Sequence, residues 1–313
     1  IDASNIRAGG GVTHLVELLK AAQPGSFGFA RVIIWSGSST LKAIHPRPWL
    51  TVVEEPLLNK SLLHRIFWQK FKLSRRAREA ACNTLLIPGG SYSGSFPRYV
   101  AISQNLLPFE RKEMMRYGLS FQLLRLFALR FVQTRTFRRA AGMIFLTNYA
   151  KKTVQNVTGK LSGFVKIIPH GINTAFRKPP RKQRPLNACS KKNPFRLLYV
   201  SMIDEYKHQD NVASAVLELA GAGLPIELTL IGPAYPPALK RLEHIINNQG
   251  ENGKLIVQYL GAVPHNKLPD FYKRSDAFVF ASSCENMPII LMEAMVAGLP
   301  IACSNRGPMP EVL

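Results

Sequence analysis

The chain has 313 residues, 46% hydrophobic and 19% charged, a composition that fits about two folded domains and excludes a disordered chain. No run of about 18 uninterrupted apolar residues occurs, so no membrane-spanning helix is expected, and no basic-then-apolar leader with a cleavage site is visible. The net charge is +22; between positions 60 and 160, 19 Lys and Arg stand against Glu79, Glu110 and Glu113, a surplus of 16 that attracts nucleic acid, anionic lipid or anionic glycan without choosing among them.

Apolar spacing at Val12, Leu15, Val16, Leu18 and Leu19 predicts a helix over residues 12–22. Before it lies Arg7-Ala-Gly-Gly-Gly-Val-Thr-His14, a loop whose Gly10 and Gly11 let backbone amides approach a diphosphate, with a helix N-terminus behind them. The run is not G-x-G-x-x-G, and no acid ends the strand predicted over 31–35, which disfavours a dinucleotide cofactor. Further strands are predicted over 84–87, 99–102 and 142–146, the last followed by a helix from Tyr149. Residues 119–132 predict an apolar helix carrying Arg125 and Arg130, with Arg135, Arg138 and Arg139 behind it. Such a helix suits a core with a basic edge as well as an anionic membrane surface. The Pro- and Lys-rich stretch 177–185 predicts an exposed loop at a domain junction.

Beyond it, strands over 196–200, 226–231, 255–259, 277–280 and 300–303 alternate with helices. The pattern is α/β, with two doubly wound parallel sheets: domain 1–171, domain 172–313, and a ligand crevice at the carboxyl ends of the strands, in the cleft between them. Both ends look clipped: residues 1–4 read as loop with no complete first strand, and the chain stops at Leu313, where a helix should begin and the second domain is incomplete.

Cys82, Cys189, Cys284 and Cys303 lie far apart and form no C-x-x-C, which argues against a zinc site or disulfide scaffold and suits a reducing cytoplasm. The five aspartates include no Asp-x-Asp, so no metal site is encoded locally. Residues 275–304 carry the richest chemistry. A strand runs into the polar turn Ser282-Ser-Cys-Glu-Asn286, then Pro288 as first helical residue, then a helix over 289–297 that is apolar all round except Glu293. A carboxylate buried there needs a partner, and ribose hydroxyls would serve. Glu285 stands just ahead of the helix, whose free amides can receive phosphate or a sugar oxygen. The structural alternatives are a capping acid and an internal ion pair.

The stretch from Phe271 to Pro300, with Glu285 and Glu293 eight residues apart, resembles the E-x7-E signature of the family 4 glycosyltransferases, of the kind that build bacterial surface polysaccharides. The glycine-rich run, Ile168-Pro-His-Gly-Ile-Asn173 and Tyr199-Val-Ser-Met-Ile-Asp-Glu-Tyr-Lys-His208 resemble further family motifs, so the likeness covers essentially the whole chain. It implies the GT-B fold, two Rossmann-like domains facing a cleft. It also implies retaining transfer of a hexose from a nucleoside diphosphate sugar to a glycan or lipid-linked acceptor, with no cofactor and no metal required. On it, Glu285 and Lys207 are catalytic; Gly10, Gly11, Gly261, Val263, Asn286, Met287, Ile290 and Glu293 bind donor; and Gln104 and Asn105 contact the sugar or acceptor. His170 is taken as structural. Met202 replaces an arginine common in relatives, Pro288 a glycine, and Gln104 a histidine, so the donor site is expected to differ there. A lipid-linked acceptor would give the basic region 60–160 a purpose at an anionic membrane, on the cytoplasmic face of an inner membrane. The rival readings are a GT-B scaffold without activity, a nucleic-acid binder using the basic half, and a nucleotide-sugar epimerase. The basic residues are mixed with apolar runs rather than exposed aromatics, so no nucleic acid is expected.

Overall fold

The computed structural model describes residues 1–7, 9–179 and 182–313. Ala8 of the glycine-rich run and Pro180 and Arg181 of the Pro/Lys stretch lie outside the described residues. The chain divides into two compact units, Ile1–Met114 with Gly118–His170, and Met115–Tyr117 with Gly171–Leu313.

In the first unit, β1 (Val32–Ser36) and β2 (Leu50–Glu54) pair in parallel. β3 (Leu85–Ile87), β4 (Tyr99–Ile102), β5 (Gly142–Phe145) and β6 (Phe164–Ile167) form a second parallel sheet in that order. Residues 1–3 join the two sheets: Asp2 N donates to Leu86 O (2.9 Å), Ala3 N to Trp35 O (3.0 Å) and Trp35 N to Ile1 O (3.0 Å). The expected loop is therefore a strand-like seam. Its Asp2 is buried and accepts from Gln69 Nε2 at 2.6 Å, and burial pushes its carboxyl pKa up. Leu85, Ala101, Met143 and Phe145 are buried in the sheet, as strands covered on both faces require.

The second unit holds one five-stranded parallel sheet: β7 (Phe195–Val200), β8 (Ile226–Ile231), β9 (Val257–Tyr259), β10 (Ala277–Phe280) and β11 (Ile301–Cys303), in the order β11-β10-β7-β8-β9. Leu198, Leu228, Leu230, Phe278 and Phe280 from the strands meet Val216, Leu242 and Leu291 from the helices in one core. The strand order reverses between β7 and β10, and at such a reversal the loops leaving the two strands diverge and open a crevice.

Three local expectations change. Gly10 and Gly11 are not loop but the first residues of helix Gly10–Ala21, with Gly9 at φ 65° as its N-cap. Residues 255 and 256 end the helix Gly250–Ile256 rather than start β9, because the ladder to β8 begins only at Leu228↔Val257. Pro288 is the N-cap of helix Ile289–Val296 rather than its first residue. The described residues of the stretch 177–185 are loop, exposed or half-buried, as expected; Lys178 N donates to Val296 O (3.4 Å), Gln183 Nε2 to Gly298 O (3.2 Å) and Arg184 to Asp276 Oδ2 (2.6 Å).

Candidate active site

The two loops at the strand-order reversal of the second unit carry the site. After β7 the chain runs through residues 201–208 into helix Gln209–Gly221. This loop is closely held. Lys207 N donates to Asp204 O (3.0 Å), Gln209 Nε2 to Met202 O (2.8 Å), and the buried Tyr199 hydroxyl to Lys207 O (2.5 Å). Tyr117, from the short excursion Met115–Tyr117, donates to Asp204 Oδ1 at 2.7 Å. Burial raises the pKa of Asp204, and burial beside Asp204 raises that of Tyr117, so the hydroxyl is a donor at any ordinary pH. Met202 is exposed. His208 adopts a left-handed conformation (φ 56°), and its Nε2 lies 2.9 Å from Ser283 Oγ, tying the first loop to the second.

The second loop, after β10, brings Glu285 onto Lys207: the ammonium pairs directly with Glu285 Oε1, with side-chain exposures of only 8% and 13%. Lys207 also sits over the rings of Tyr206 (5.0 Å) and Phe280 (5.4 Å). The two residues expected to be catalytic are therefore joined, and the lysine expected to meet the diphosphate has a carboxylate partner. Asn286 is buried, Met287 is half-buried, and the helix Ile289–Val296 that follows has no side-chain cap, leaving its N-terminal amides to other acceptors.

Glu293 projects from that helix, 2% exposed, and is not short of partners. The Tyr272 hydroxyl donates to its Oε2 (2.9 Å) and His265 Nε2 lies 3.1 Å from its Oε1. Burial, reinforced by Glu293, drives the Tyr272 pKa far above its usual value, so the phenol stays protonated and donates. Tyr272 also reaches Ile290 O at 3.3 Å. His265 lies at the end of the stretch 261–265 that leaves β9 through Gly261 and Val263, and Val263 packs on the core. Gly261, at φ 68° with open space around it, accepts from Gly232 N at 2.8 Å. Gly232 is obligatory: at φ 149° a Cβ would fall 2.0 Å from Ser201 O. Lys207, Gly261, Val263, Glu285, Asn286, Met287, Ile290 and Glu293 thus all belong to the second unit. The sequence reading missed Tyr117, Asp204, His265 and Tyr272, and no local pattern marks them.

Gly10, Gly11, Gln104 and Asn105 belong to the first unit. A Cβ on Gly11 would lie 3.6 Å from Gln104 Oε1, so helix start and strand end meet; Asn105 is exposed and its Oδ1 caps Leu107 N (3.1 Å). His170 stacks edge-on against His14 with centroids 4.5 Å apart, and burial lowers its pKa to about 4. Among the described residues no three metal-ligating side chains converge, and no helix is long and apolar enough to cross a membrane.

Residues 183–313 match the family model described as glycosyl transferases group 1. The O-antigen chain mannosyltransferase B of Escherichia coli is 40% identical over 57 residues, 18% of this chain and 15% of that protein, far below two thirds of its length. Among solved structures, Anabaena HepE in complex with UDP and glucose is similar at a TM-score of 0.63 and 16% identity, over 97% of this chain and 80% of that one. WaaG, a glycosyltransferase involved in lipopolysaccharide biosynthesis, is similar at 0.61 and 15%, over 96% and 79%. The fold is accordingly GT-B, two Rossmann-like units with parallel sheets. Residues 183–313, under half of the chain, are thus what is similar to the glycosyl transferases group 1.

Proposed function

We propose that the protein of which this chain is part transfers a hexose from a nucleoside diphosphate sugar to a glycan or lipid-linked acceptor with retention of anomeric configuration. The buried Lys207–Glu285 pair, held by the two loops at the strand-order reversal beside an uncapped helix, is the observation that carries this reading. HepE was solved with UDP and glucose, which makes a UDP-sugar the first donor to test. In the proposed reaction the bond from anomeric carbon to diphosphate breaks, the acceptor oxygen bonds to the same face, and its proton passes to the leaving diphosphate. Lys207 offsets the charge that builds on that leaving group. Glu285 holds Lys207 in place and stabilises positive charge at the anomeric carbon. Glu293, aimed by Tyr272 and His265, accepts from the ribose, while amides of Asn286, Met287 and Ile290 meet sugar and phosphate. On the family resemblance alone, Gly10 and Gly11 contact the diphosphate, and Gln104 and Asn105 the sugar or acceptor. The setting is the cytoplasmic face of a membrane, reached through the basic region 60–160.

The test is a transfer and donor-hydrolysis assay on the full-length protein, after a thermal-shift screen of UDP-, GDP- and ADP-sugars. Wild type is expected to turn over one donor, and Glu285→Ala and Glu293→Ala to lose at least about a hundredfold of that rate. Undiminished transfer in either variant would sink the assignment. A protein that binds a donor yet neither transfers nor hydrolyses it is a scaffold.

A further inference from the structure

The first unit contains a cavity of about 500 Å³ that the donor chemistry does not use. Its lining includes Lys70, Arg135 and Arg139 beside Ile66, Phe96 and Phe131, and no carboxylate. The three cations form no ion pair with any described residue, although Lys70 rests over the ring of Phe71 (5.2 Å). One wall is built rather than loose. Tyr92 N donates to Thr136 Oγ1 (2.9 Å), Ser93 N to Gln69 Oε1 (3.3 Å), Ser95 N to Ser74 Oγ (3.1 Å) and Phe96 N to the Tyr92 hydroxyl (2.8 Å). Gly94 is packed so closely in this wall that a Cβ would fall 2.4 Å from the Tyr92 hydroxyl and 2.6 Å from Gln69 O.

The cavity opens between two helical stretches that turn apolar side chains outward. Leu63, Phe67 and Phe71 stand in line on helix Leu62–Phe67 and the π-helical turn Trp68–Leu73 that extends it, each 48% exposed or more. Phe121, Leu124, Phe127 and Phe131 form a stripe on helix Phe121–Arg139, each 45% exposed or more. That stripe runs directly into Arg135 and Arg139. Water penalises such a face, and a bilayer interface accepts it, with cations at headgroup level.

We propose that this cavity is a headgroup site for an anionic lipid: Lys70, Arg135 and Arg139 take the lipid phosphate while Phe71, Phe131 and Ile66 meet the hydrocarbon attached to it. The inference rests on the membrane setting proposed above and adds a discrete site to it. Charge complementarity chooses the occupant, since three unpaired cations beside an apolar face match a phosphate joined to hydrocarbon better than a soluble anion.

Sedimentation of the full-length protein with vesicles of phosphatidylcholine, with and without phosphatidylglycerol, tests it. Wild type is expected to favour the anionic vesicles. The Arg135→Gln/Arg139→Gln variant should lose about thirtyfold of that affinity, at about fivefold per charge near the surface, while Arg111→Gln/Lys112→Gln, elsewhere on the same unit, loses less than threefold. Equal losses in the two variants would overturn the site, leaving only a diffuse basic surface. Loss in Leu124→Ser/Phe127→Ser with none in Arg135→Gln/Arg139→Gln would keep membrane binding and overturn the site alone. Wild type ignoring both vesicles would overturn the membrane setting and the site, with donor turnover untouched. Inorganic phosphate bound in solution as tightly as the vesicles, with the same arginine dependence, would overturn the lipid as occupant.

Discussion

At the scale of single residues, the Lys207–Glu285 pair is both a chemical and a structural element, and the two roles separate experimentally. Removing Glu285 leaves an ammonium buried without its carboxylate, which costs about 3–5 kcal/mol in a sealed interior and about 2–3 kcal/mol here, where the pair keeps slight access to water. In denaturant titrations, Lys207→Ala/Glu285→Ala should therefore be more stable than the sum of the single variants indicates, by about 1–3 kcal/mol. Tyr272→Phe removes one donor from a carboxylate that is 2% exposed and should cost about 1–3 kcal/mol of stability, with a rise in donor KM that exceeds the fall in kcat. Gly232→Ala should fail differently. Its backbone conformation is closed to other residues and its Cβ would strike Ser201 O, so loss of fold, read as loss of the thermal transition, is the expected outcome. Gly10→Ala meets nothing within 4 Å and lies in a helix, so its Tm should hold or rise while donor turnover falls if a diphosphate does pack there. Glu285, Glu293 and Lys207 were legible from the sequence as a motif. Their partners were not: Lys207 and Glu285 stand 78 residues apart, and only the position of β7 beside β10 unites them.

At the scale of elements, the buried strands were readable from a continuous apolar run where both faces are covered, as in β10, and from apolar residues alternating with Glu227 and Thr229 in β8. The two strands that went unread, β2 and β6, lie at sheet edges and carry exposed residues such as Thr51, Glu54 and Lys166, so neither alternation nor continuity announced them. The apolar run 255–259 shows the opposite failure. Helix and strand both accept such a run, and hydrogen bonding divides it at Val257. The helix Phe121–Arg139 was read as apolar and basic, yet which face turned outward was hidden. Leu123, Leu126 and Phe137 point inward, and the Phe121–Phe131 stripe points out.

At the scale of the whole molecule, the chain divides into two compact units, each with its own parallel strands and buried residues. In calorimetry, a bound nucleoside diphosphate sugar should raise the transition of the second unit, by about 2.7 kcal/mol at a hundred times Kd. Acid should act on the first unit. His170 is held neutral by burial with a pKa near 4, against 6.5 for the free side chain. Between those values the unfolded chain binds the extra proton, so stability falls as pH drops from 6.5 towards 4, at most by about 1.4 kcal/mol per pH unit for this group. His170→Gln should flatten that slope in Tm measured against pH. The seam formed by residues 1–3 has its own outcome. It closes the free sides of β1 and β3 at once, so clipping these three residues would uncover two facing rows of unsatisfied backbone groups. A molecule so trimmed should keep the fold of its second unit, and yet be lost from solution as it joins edge to edge with its neighbours.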